Sequence, residues 1–495
     1  MLRVASHSLG PLPPVTPRTD AWRRDLDAAL VASASRDGAL QRLRQPGALV
    51  VTTGQQPGLF TGPLYAVHKA LSAAALARVL ERRWHRPVVP MFWLAGDDHD
   101  FAEASAATWT DAAGALVDWS LPARAATAPQ LPMSAERLPA DVVDGLRLLE
   151  QGLPPGQPRD ATLDWLRKHY APGTTLHAAF AGAVADLVAP FGVVCFDATH
   201  MAVKQAQIPL LTAALRRASE LDHALAALPD ASTGISAGEG ATLVFVVTAA
   251  GRDRLLIDGD RFRARRSGER FTRAQLDDLL AREPERFSAN VLLRPVVESA
   301  LLPTVAYLGG PGELRYLERQ AVALYPLLDV PRQIPVPRWS GTVVEQWAER
   351  LLGRLHLDLD AVLNDDGAVA RSVLERDFPR DAREAIDALR RQISSSTHRI
   401  AAAGKRIDPV LERAVTGRMQ RLDQISEDLE KILLRHLRKR DDIAHAQYVR
   451  LARGLRPRGK PQERVLTAAN FAGRYGDAWL NGVFESVAAW AEDAP

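Results

Sequence analysis

One segment near the N-terminus constrains the fold most strongly, because it passes from strand-like through glycine-rich to helical sequence. The run 47–52 is largely apolar and ends in valines and a threonine, and 64–82 is rich in alanine. Between them, Gly54, Gly58 and Gly62 permit tight turns and close backbone approach. A strand, a glycine-rich loop and a helix in this order predict an α/β unit whose loop amides and helix dipole can bind an anion.

The spacing of these glycines matches neither the phosphate-binding P-loop nor the G-x-G-x-x-G fingerprint. A strand-to-helix turn that merely contains glycines is therefore the alternative, and this segment alone does not separate the two. Lys69 could reach a phosphate from inside the helix, although a lone helical lysine is more often a solvated charge. The candidate substrate- or nucleotide-binding residues of the segment are Gly54, Gln55, Gln56, Gly62, Tyr65, His68 and Lys69.

Composition narrows the class of protein. A chain of 495 residues exceeds one ordinary core, so two or more domains are expected. Its 62 basic and 59 acidic residues leave a formal charge of +3, which predicts no nucleic-acid binding.

The single cysteine excludes intrachain disulfides and multi-thiolate metal sites, and Cys195 lies in an apolar run that predicts a packing role. The sequence shows neither a signal-peptide core nor an apolar stretch of membrane-spanning length, so we expect a cytoplasmic protein without membrane association.

Strand-like and helical segments alternate through the first part of the chain. Alternation of this kind predicts parallel strands joined by right-handed helical crossovers, the α/β class. Strands are predicted at 48–53, 88–95, 193–197 and 303–308, and helices at 64–82, 175–188 and 204–217. Two segments interrupt the pattern as insertions, near 110–170 and near 238–290, and the second contains an antiparallel meander.

A heptad seam predicts an antiparallel coiled-coil hairpin near the C-terminus. The first helix carries isoleucine at 386, 393, 400 and 407, and Asp408-Pro409 supplies the cap and first turn of a second helix. The predicted domains are a core at 1–375, the hairpin at 376–460, and a C-terminal helical segment at 461–495 that packs on the core. Leu433, Leu437 and Tyr448 lie off the inner seam, which predicts a homodimer through the coiled coil.

Polar residues follow the predicted strands where ligands bind in doubly wound sheets. The second strand runs into Gly96-Asp97-Asp98-His99-Asp100, and such dense like charge needs a cation, a proton or hydrogen-bond donors. The functional interpretation is a Mg²⁺ or substrate-amine site with His99 as acid or base. The alternative is an acidic turn that caps the next helix. Zinc is disfavoured, because no second histidine or cysteine lies nearby.

These positions give candidate catalytic residues and further binding residues. The catalytic candidates are His99, Asp98 and Asp100, with Asp97 and Asp98 as the candidate Mg²⁺ ligands. Arg294 follows an apolar run and needs an anionic partner, and Tyr316 either faces the same cleft or belongs to the core. The binding candidates beyond the first segment are Asp97, Asn290, Arg294, Gly309, Gly310, Gly312, Glu313 and Tyr316.

Five ordered motifs span nearly the whole chain: Thr53-Gly54-Gln55-Gln56 with Thr61 to Lys69, Gly96 to Phe101, Phe287 to Pro295, Leu302 to Tyr316, and Gln462-Glu463-Arg464. Together they resemble the BshC family of bacillithiol biosynthesis cysteine-adding enzymes. The resemblance implies a Rossmann-like core with inserted connecting segments, a coiled-coil domain that dimerises, and the last step of bacillithiol synthesis. That step joins the carboxyl of L-cysteine to the amine of glucosaminyl malate. The chain departs from the family pattern at Glu298, where glutamine is usual.

Amide formation from a free carboxylate is uphill in water, so ATP is the expected activator, and Mg²⁺ is expected to assist it. The attacking amine must be neutral, so a base such as His99 or Asp98 is expected. The competing hypothesis is a catalytically silent nucleotide- or thiol-metabolite-binding scaffold that uses the coiled coil as its interaction arm.

Overall fold

The computed structural model divides the chain into two compact units. The structure describes residues 2–228, 240–365, 367–375, 380–440 and 442–494. The first unit contains Met1–Val344 and Gln462–Pro495, and the second contains Glu345–Pro461. Among the described residues, no helix combines the length and apolar character needed to cross a membrane. The cytoplasmic location stays a prediction.

The strands, in chain order, are β1 (Arg3–His7), β2 (Leu49–Gln55), β3 (Val88–Leu94), β4 (Ala106–Thr110), β5 (Leu116–Ser120), β6 (Val194–Asp197), β7 (Ala241–Thr248), β8 (Gly251–Asp258), β9 (Arg261–Ala264), β10 (Arg270–Thr272), β11 (Phe287–Ala289), β12 (Thr304–Gly309), β13 (Ile334–Pro337) and β14 (Ser340–Val344). The α-helices are α1 (Arg36–Leu43), α2 (Tyr65–Trp84), α3 (Phe101–Ala104), α4 (Val142–Gly152), α5 (Gln157–His169), α6 (Leu176–Val188), α7 (Met201–Ala206), α8 (Ile208–Arg216), α9 (Ala218–Ala226), α10 (Arg273–Arg282), α11 (Arg294–Leu301), α12 (Pro311–Arg319), α13 (Leu324–Leu327), α14 (Gln346–Leu355), α15 (Leu359–Leu363), α16 (Ala368–Glu375), α17 (Arg380–Ile407), α18 (Pro409–Arg440), α19 (Asp442–Leu455), α20 (Ala469–Tyr475) and α21 (Ala478–Glu492).

The core of the first unit is a parallel sheet in the order β13-β12-β2-β3-β6. Numbered by their position in the chain, these strands read 3-2-1-4-5 from β6, which is the doubly wound arrangement with a switch point between β2 and β12. Every residue of β3 is buried, as expected of a central strand covered on both faces. The predicted α/β class and the four predicted strands are confirmed.

Cys195 lies in β6 and is fully buried, which confirms its packing role. Burial raises the pKa of its thiol, so the group stays protonated and unreactive. The predicted helix at 204–217 is wrong in one respect, because it is two helices, α7 and α8, that meet at Gln207. Pro209 stands in the first turn of α8, where its missing N–H costs nothing but the preceding helix cannot continue through it.

The two interrupting segments form separate small sheets. The second is antiparallel, in the order β10-β9-β8-β7-β11, which confirms the meander; residues 238 and 239 lie outside the described residues. The first contains the hairpin of β4 and β5 followed by α4 and α5. The C-terminal segment packs in the first unit as predicted, since Trp479, Val483 and Val487 are buried in the same apolar cluster as α2.

The second unit is helical and starts earlier than the predicted boundary at 376. Helices α14, α15 and α16 pack against α19, so residues from Glu345 onward belong to this unit. The amphipathic sequence of α14 explains the difference, because it buries Leu351, Leu352 and Leu355. Trp347 of α14 also lies under the guanidinium of Arg450, with 4.8 Å between the guanidinium carbon and the ring centre.

Helices α17 and α18 form the predicted hairpin, separated at Asp408-Pro409. The isoleucine seam is buried only in part: Ile386 and Ile393 are buried, whereas Ile400 is 48% and Ile407 80% exposed. Tyr448 does not need a partner subunit as predicted, because it is buried and its hydroxyl donates to Asp365 within the same unit. The side chain of Leu437 lies outside the described residues.

Candidate active site

A cavity of about 550 Å³ opens at the carboxyl edge of the parallel sheet, at the switch point between β2 and β12. The antiparallel sheet forms its opposite wall through Phe245, Arg252 and Ala289. Most of the predicted site residues line this cavity: Gly54, Gln55, Gln56, Tyr65, Lys69, Asp97, Asp98, His99, Asn290, Arg294, Gly310, Gly312, Glu313 and Tyr316. The three strand-end loops of the prediction therefore meet, and Gly62, His68, Asp100 and Gly309 are the predicted residues outside the lining.

Three amides of the glycine-rich loop are already paired within the protein. The amide of Gly62 donates to Leu59, that of Thr61 to the Tyr170 hydroxyl, and that of Leu64 to Leu466. Gly62 has a φ of 65°, and a side chain on Gly58 would approach its Cα to 2.9 Å. The two glycines thus allow the backbone at Gly58 and at Gly62 to come close together in the protein interior. These contacts favour the strand-to-helix turn over a phosphate-binding loop at Thr61, Gly62 and Leu64.

Lys69 is held by protein acceptors on all sides. Its ammonium lies 2.6 Å from Glu313, 2.9 Å from the Gly54 carbonyl and 3.0 Å from the Gln55 side-chain oxygen. An ammonium has three protons to donate, so each has an acceptor here. Burial lowers the pKa of Lys69, and Glu313 opposes that effect. The structure therefore uses Lys69 to join strand, loop and α12, and a reach to phosphate would cost one of these bonds.

His68 faces away from the cavity, into a buried network with the C-terminal segment. Its Nδ1 lies 2.7 Å from Glu463, which also accepts from Arg338 and, at 3.0 Å, from the Ser340 hydroxyl. Burial alone would raise the pKa of Glu463, but hydrogen bonds and positive charge from His68 and Arg338 outweigh burial, so the pKa lies below its ordinary value. The second residue of the Gln-Glu-Arg motif thus anchors the C-terminal segment and orients Arg338, which lines the cavity.

The acidic loop is held by donors of the protein. Both oxygens of Asp97 accept from the buried Lys204 ammonium, at 2.7 and 2.8 Å. Asp98 Oδ1 accepts from the amides of His99 and Asp100, and Asp100 caps α3 through the Glu103 amide. The helix-capping alternative is therefore realised at Asp100. Among the described residues, no group of three His, Cys, Asp or Glu side chains could hold a metal ion. Mg²⁺ at Asp97 and Asp98 therefore stays a prediction, because this ion is often held by one or two carboxylates and the phosphates of a substrate.

His99 contacts a buried arginine that the sequence did not single out. Arg252 Nη1 lies 3.1 Å from His99 Nδ1, and the imidazole ring lies 5.9 Å from that of Phe245. Burial and the positive charge of Arg252 lower the pKa of His99 to about 4. His99 is consequently neutral at physiological pH.

Three buried donors in the cavity wall have no acceptor among the described residues. They are Gln56 Nε2, Arg294 Nη2 and Arg338 Nε. Arg294 also donates to the fully buried Glu298 at 2.8 Å, which anchors one side of its guanidinium. An unpaired buried donor costs free energy, which an anionic ligand in the cavity would recover.

The remaining predicted residues have structural partners as well as positions in the wall. Asn290 accepts from the amides of Leu292 and Leu293 and so caps the turn before α11. Tyr316 is buried, and burial raises the pKa of its hydroxyl. Gly310 approaches Arg338, and its amide donates to Glu313 at 2.9 Å.

Sequence reasoning missed Arg252, Arg338, Lys204 and Tyr307. Arg338 follows β13 directly, and the strand-end argument that found the acidic loop after β3 would have found it once the fifth strand was recognised. Arg252 lies on β8 of an inserted sheet, and only the fold brings that strand over the cavity. Tyr307 lies inside β12, where its hydroxyl donates to Glu313 at 2.8 Å.

Beside the cavity, His177 joins Asp197 at 2.9 Å, and the Thr199 hydroxyl donates to the same carboxylate oxygen at 2.7 Å. A side chain on Gly96 would come within 2.5 Å of His177 Nδ1. This cluster packs under the first residue of the acidic loop and fixes where the loop leaves β3.

Comparison with known proteins identifies the family. Residues 24–339 match the model described as the bacillithiol biosynthesis BshC N-terminal Rossmann-like domain, and residues 341–490 match the BshC C-terminal coiled-coil domain. A relative from Solibacter usitatus, named "Putative cysteine ligase BshC", is 31% identical over 95% of this chain and 88% of its own length. A relative of the same name from Symbiobacterium thermophilum is 30% identical over 90% of this chain and 83% of its own. The resemblance drawn from the five motifs is confirmed, and the chain belongs to the BshC family.

Proposed function

We propose that this chain is a ligase that joins the carboxyl of L-cysteine to the amine of glucosaminyl malate, in the last step of bacillithiol biosynthesis. The observation that carries the proposal is the set of unpartnered donors on Gln56, Arg294 and Arg338 in the cavity of a BshC-family chain. Guanidinium groups pair with carboxylates in a charge-assisted geometry. Glucosaminyl malate carries two carboxylates and cysteine one, so the ligands match the donors.

The size and charge of the cavity support substrates of this kind. A volume of about 550 Å³ falls within the range of small-molecule sites. Arg254 and Arg464 add positive charge to the lining, beyond the guanidinium groups already described. Asp97 and Glu313 already have cationic partners in Lys204 and Lys69. With Asp98 and Glu103 counted as well, the lining holds six Lys or Arg side chains against four Asp or Glu side chains, and this balance favours an anionic substrate.

ATP is the proposed activator. The donors of Arg294 and Arg338 fit a phosphate as well as a carboxylate, whereas the amides of Thr61, Gly62 and Leu64 in the glycine-rich loop are already paired. When bound, ATP supplies the phosphoryl or adenylyl group that makes the cysteine carboxyl an electrophile. The residues of this chain would orient the two carboxyl-bearing substrates.

The amine of glucosaminyl malate must lose a proton as it attacks. Asp98 lines the cavity, and its Oδ1 is occupied by the two backbone amides of its turn. Oδ2 has no hydrogen-bond partner among the described residues and is the oxygen that would accept the proton. A fixed carboxylate near the amine acts as the general base.

The second unit supports a further part of the proposal, a homodimer. Ile400, Ile407, Ile425 and Ile432 are between 46% and 80% exposed on the hairpin of α17 and α18. Exposed apolar side chains on a heptad helix pair are stabilised when a second copy covers them. The same surface would serve as the arm of a scaffold, which is the competing hypothesis.

The test uses purified full-length protein with ATP, L-cysteine and glucosaminyl malate. We expect mass spectrometry to detect the cysteinyl amide, with ATP consumed only when both other substrates are present. Serine in place of cysteine and glucosamine in place of glucosaminyl malate are the matched controls for the thiol and for the malate carboxylates. Binding of both substrates by calorimetry without amide formation or ATP consumption would favour the scaffold.

A further inference from the structure

We propose that Arg252 fixes the neutral tautomer of His99 in which Nε2 carries the proton, so that His99 donates a hydrogen bond into the cavity. This assignment replaces the role of His99 as the general base. It deepens the proposed function and rests on it for the identity of the acceptor, but the tautomer itself is a property of the protein alone.

The guanidinium of Arg252 is immobilised on three sides. Its Nε donates to the Ser288 hydroxyl at 2.9 Å and its Nη2 to the Ala289 carbonyl at 2.9 Å. The group lies over the Phe245 ring, with 4.0 Å between the guanidinium carbon and the ring centre. Arg252 is buried, so these contacts leave little freedom for the remaining nitrogen. That nitrogen, Nη1, is the one 3.1 Å from His99.

An arginine stays protonated in proteins and can only donate hydrogen bonds. His99 Nδ1 must therefore be the acceptor, and its lone pair is directed at Arg252. A neutral imidazole has one N–H, which falls on Nε2. A second proton on the ring would have to displace the bond from Arg252 and lie beside its positive charge.

His99 Nε2 is the nitrogen left for a ligand. The side chain is 21% exposed, His99 lines the cavity, and Nε2 has no protein partner among the described residues. A general base must direct a lone pair at the amine, but Nε2, the ring nitrogen on the cavity side, carries a proton. The ring can instead donate to an oxygen that gains negative charge.

Amide formation provides that oxygen. The amine nitrogen forms a bond to the activated acyl carbon, and the carbonyl electron pair moves onto its oxygen. The tetrahedral species formed in this way then expels the phosphate-type leaving group derived from ATP. The proton of the amine passes to the carboxylate of Asp98. A donor fixed before the reaction stabilises the transient oxyanion without reorganisation. His99 supplies such a donor, and Arg252 acts as its positioning residue.

The first test reads the tautomer directly. Long-range proton–nitrogen NMR spectra of protein labelled with ¹⁵N-histidine separate the two neutral tautomers from the charged ring, and His99→Gln identifies the His99 signals among the 12 histidines. We expect the proton on Nε2 at pH 7, the same pattern in Arg252→Lys, and a mixture of tautomers in Arg252→Met. A proton on Nδ1, a charged ring, or an unchanged ring in a folded Arg252→Met variant would overturn the proposal.

The second test compares two amides at position 99. The amide nitrogen of glutamine reaches the place of Nε2, whereas that of asparagine reaches only the place of Nδ1. We expect His99→Asn to lower kcat about 100- to 1,000-fold, the cost of removing one oxyanion donor, and His99→Gln to retain at least about tenfold more activity than that. Equal losses in the two variants would refute the donor role. A wild-type protein that makes no amide would refute the proposed function and leave the spectroscopic result intact.

Discussion

The ammonium of Lys69 and the carboxylate of Glu313 lie 2.6 Å apart and connect α2 to α12 across the switch point of the sheet. Lys69 is almost fully buried, and Glu313 accepts in addition from Tyr307 and from the Gly310 amide. The pair therefore braces the two loops that follow β2 and β12. The cavity keeps its shape because these loops, which come from distant parts of the chain, share one buried charge pair.

Lys69→Met tests this brace. The substitution leaves Glu313 partly buried without its cation, and breaking a buried pair costs about 3 kcal/mol. We expect a loss of that size in the free energy of unfolding, measured by urea denaturation. Lys168→Met is the matched control, because Lys168 is 63% exposed in its pair with Asp186. A surface pair contributes under about 1 kcal/mol. Equal effects of the two substitutions would contradict the brace.

Asp98→Asn tests the proposed base. Asparagine keeps the oxygen that accepts from the amides of His99 and Asp100, so the turn should survive and thermal stability should change little. The variant loses the carboxylate that would accept the amine proton, and we expect kcat to fall about 100- to 10,000-fold. The measurement is the rate of amide formation at saturating substrates. Asp141→Asn, which changes an acid outside the cavity lining, should leave the rate unaltered.

Much of the fold follows from local sequence, because each element carries its own signal. Strand β3 is apolar throughout and β2 and β6 begin with apolar residues, and the break at Asp408-Pro409 combines a capping residue with a first-turn proline. The strand-end rule also brought Gly54, Asp98 and Gly310 to one cavity, because the carboxyl ends of parallel strands share an edge.

The roles of individual side chains could not be predicted in the same way, because partners distant in sequence determine them. From the sequence, Lys69 is a candidate phosphate ligand, but in the structure it pairs with Glu313. His68 is likewise a candidate cavity residue, but it pairs with Glu463. Arg252 reaches His99 only because an inserted sheet folds over the strand ends. These contacts depend on packing between elements, which leaves no local pattern in the sequence.

Asp197 makes stability depend on pH in the acid range. Burial alone would raise its pKa, but hydrogen bonds from His177 and Thr199 lower the pKa to about 2. An unfolded aspartate titrates near about 4, so Asp197 stabilises the fold above that pH and loses the effect as pH falls from about 4 to about 2. The shift corresponds to about 2 kcal/mol.

We therefore expect Asp197→Asn to be about 2 kcal/mol less stable than the parent at pH 6, with the difference reduced to about 1 kcal/mol or less at pH 2.5. The midpoints of urea denaturation of the two proteins, measured at pH 6 and at pH 2.5, check this. Asp144→Asn, at a position 64% exposed, should show no such convergence. A constant difference for Asp197→Asn across this range would show that the pair with His177 does not set the titration.

Glu463→Gln tests the anchor of the C-terminal segment. It removes the negative charge that Arg338 and His68 share, and leaves a buried guanidinium without a counter-charge. We expect a loss of about 3 to 5 kcal/mol in the free energy of unfolding. Glu492→Gln on α21 is the control, because Glu492 is 60% exposed in its pair with Arg82 and should cost under about 1 kcal/mol. Similar losses in the two variants would refute the anchor.

Assembly through the second unit gives the last prediction. Ile425 and Ile432 are 54% and 46% exposed on α18, and Ile400 is 48% exposed on α17. If a second copy covers these side chains, a glutamate at 425 and 432 places buried charge in the interface and weakens it. We expect full-length protein to be a dimer by light scattering at micromolar concentration.

The double variant Ile425→Glu/Ile432→Glu should then be monomeric, with unfolding of the first unit unchanged. The matched control is Glu427→Gln/Lys431→Gln, which alters the same helix at side chains that already pair with each other at the surface. Replacing residues 381–450 with a short linker should also give a monomer, because it removes the hairpin entirely. A wild-type monomer, or a dimer that persists after this replacement, would show that the exposed isoleucines do not mediate assembly.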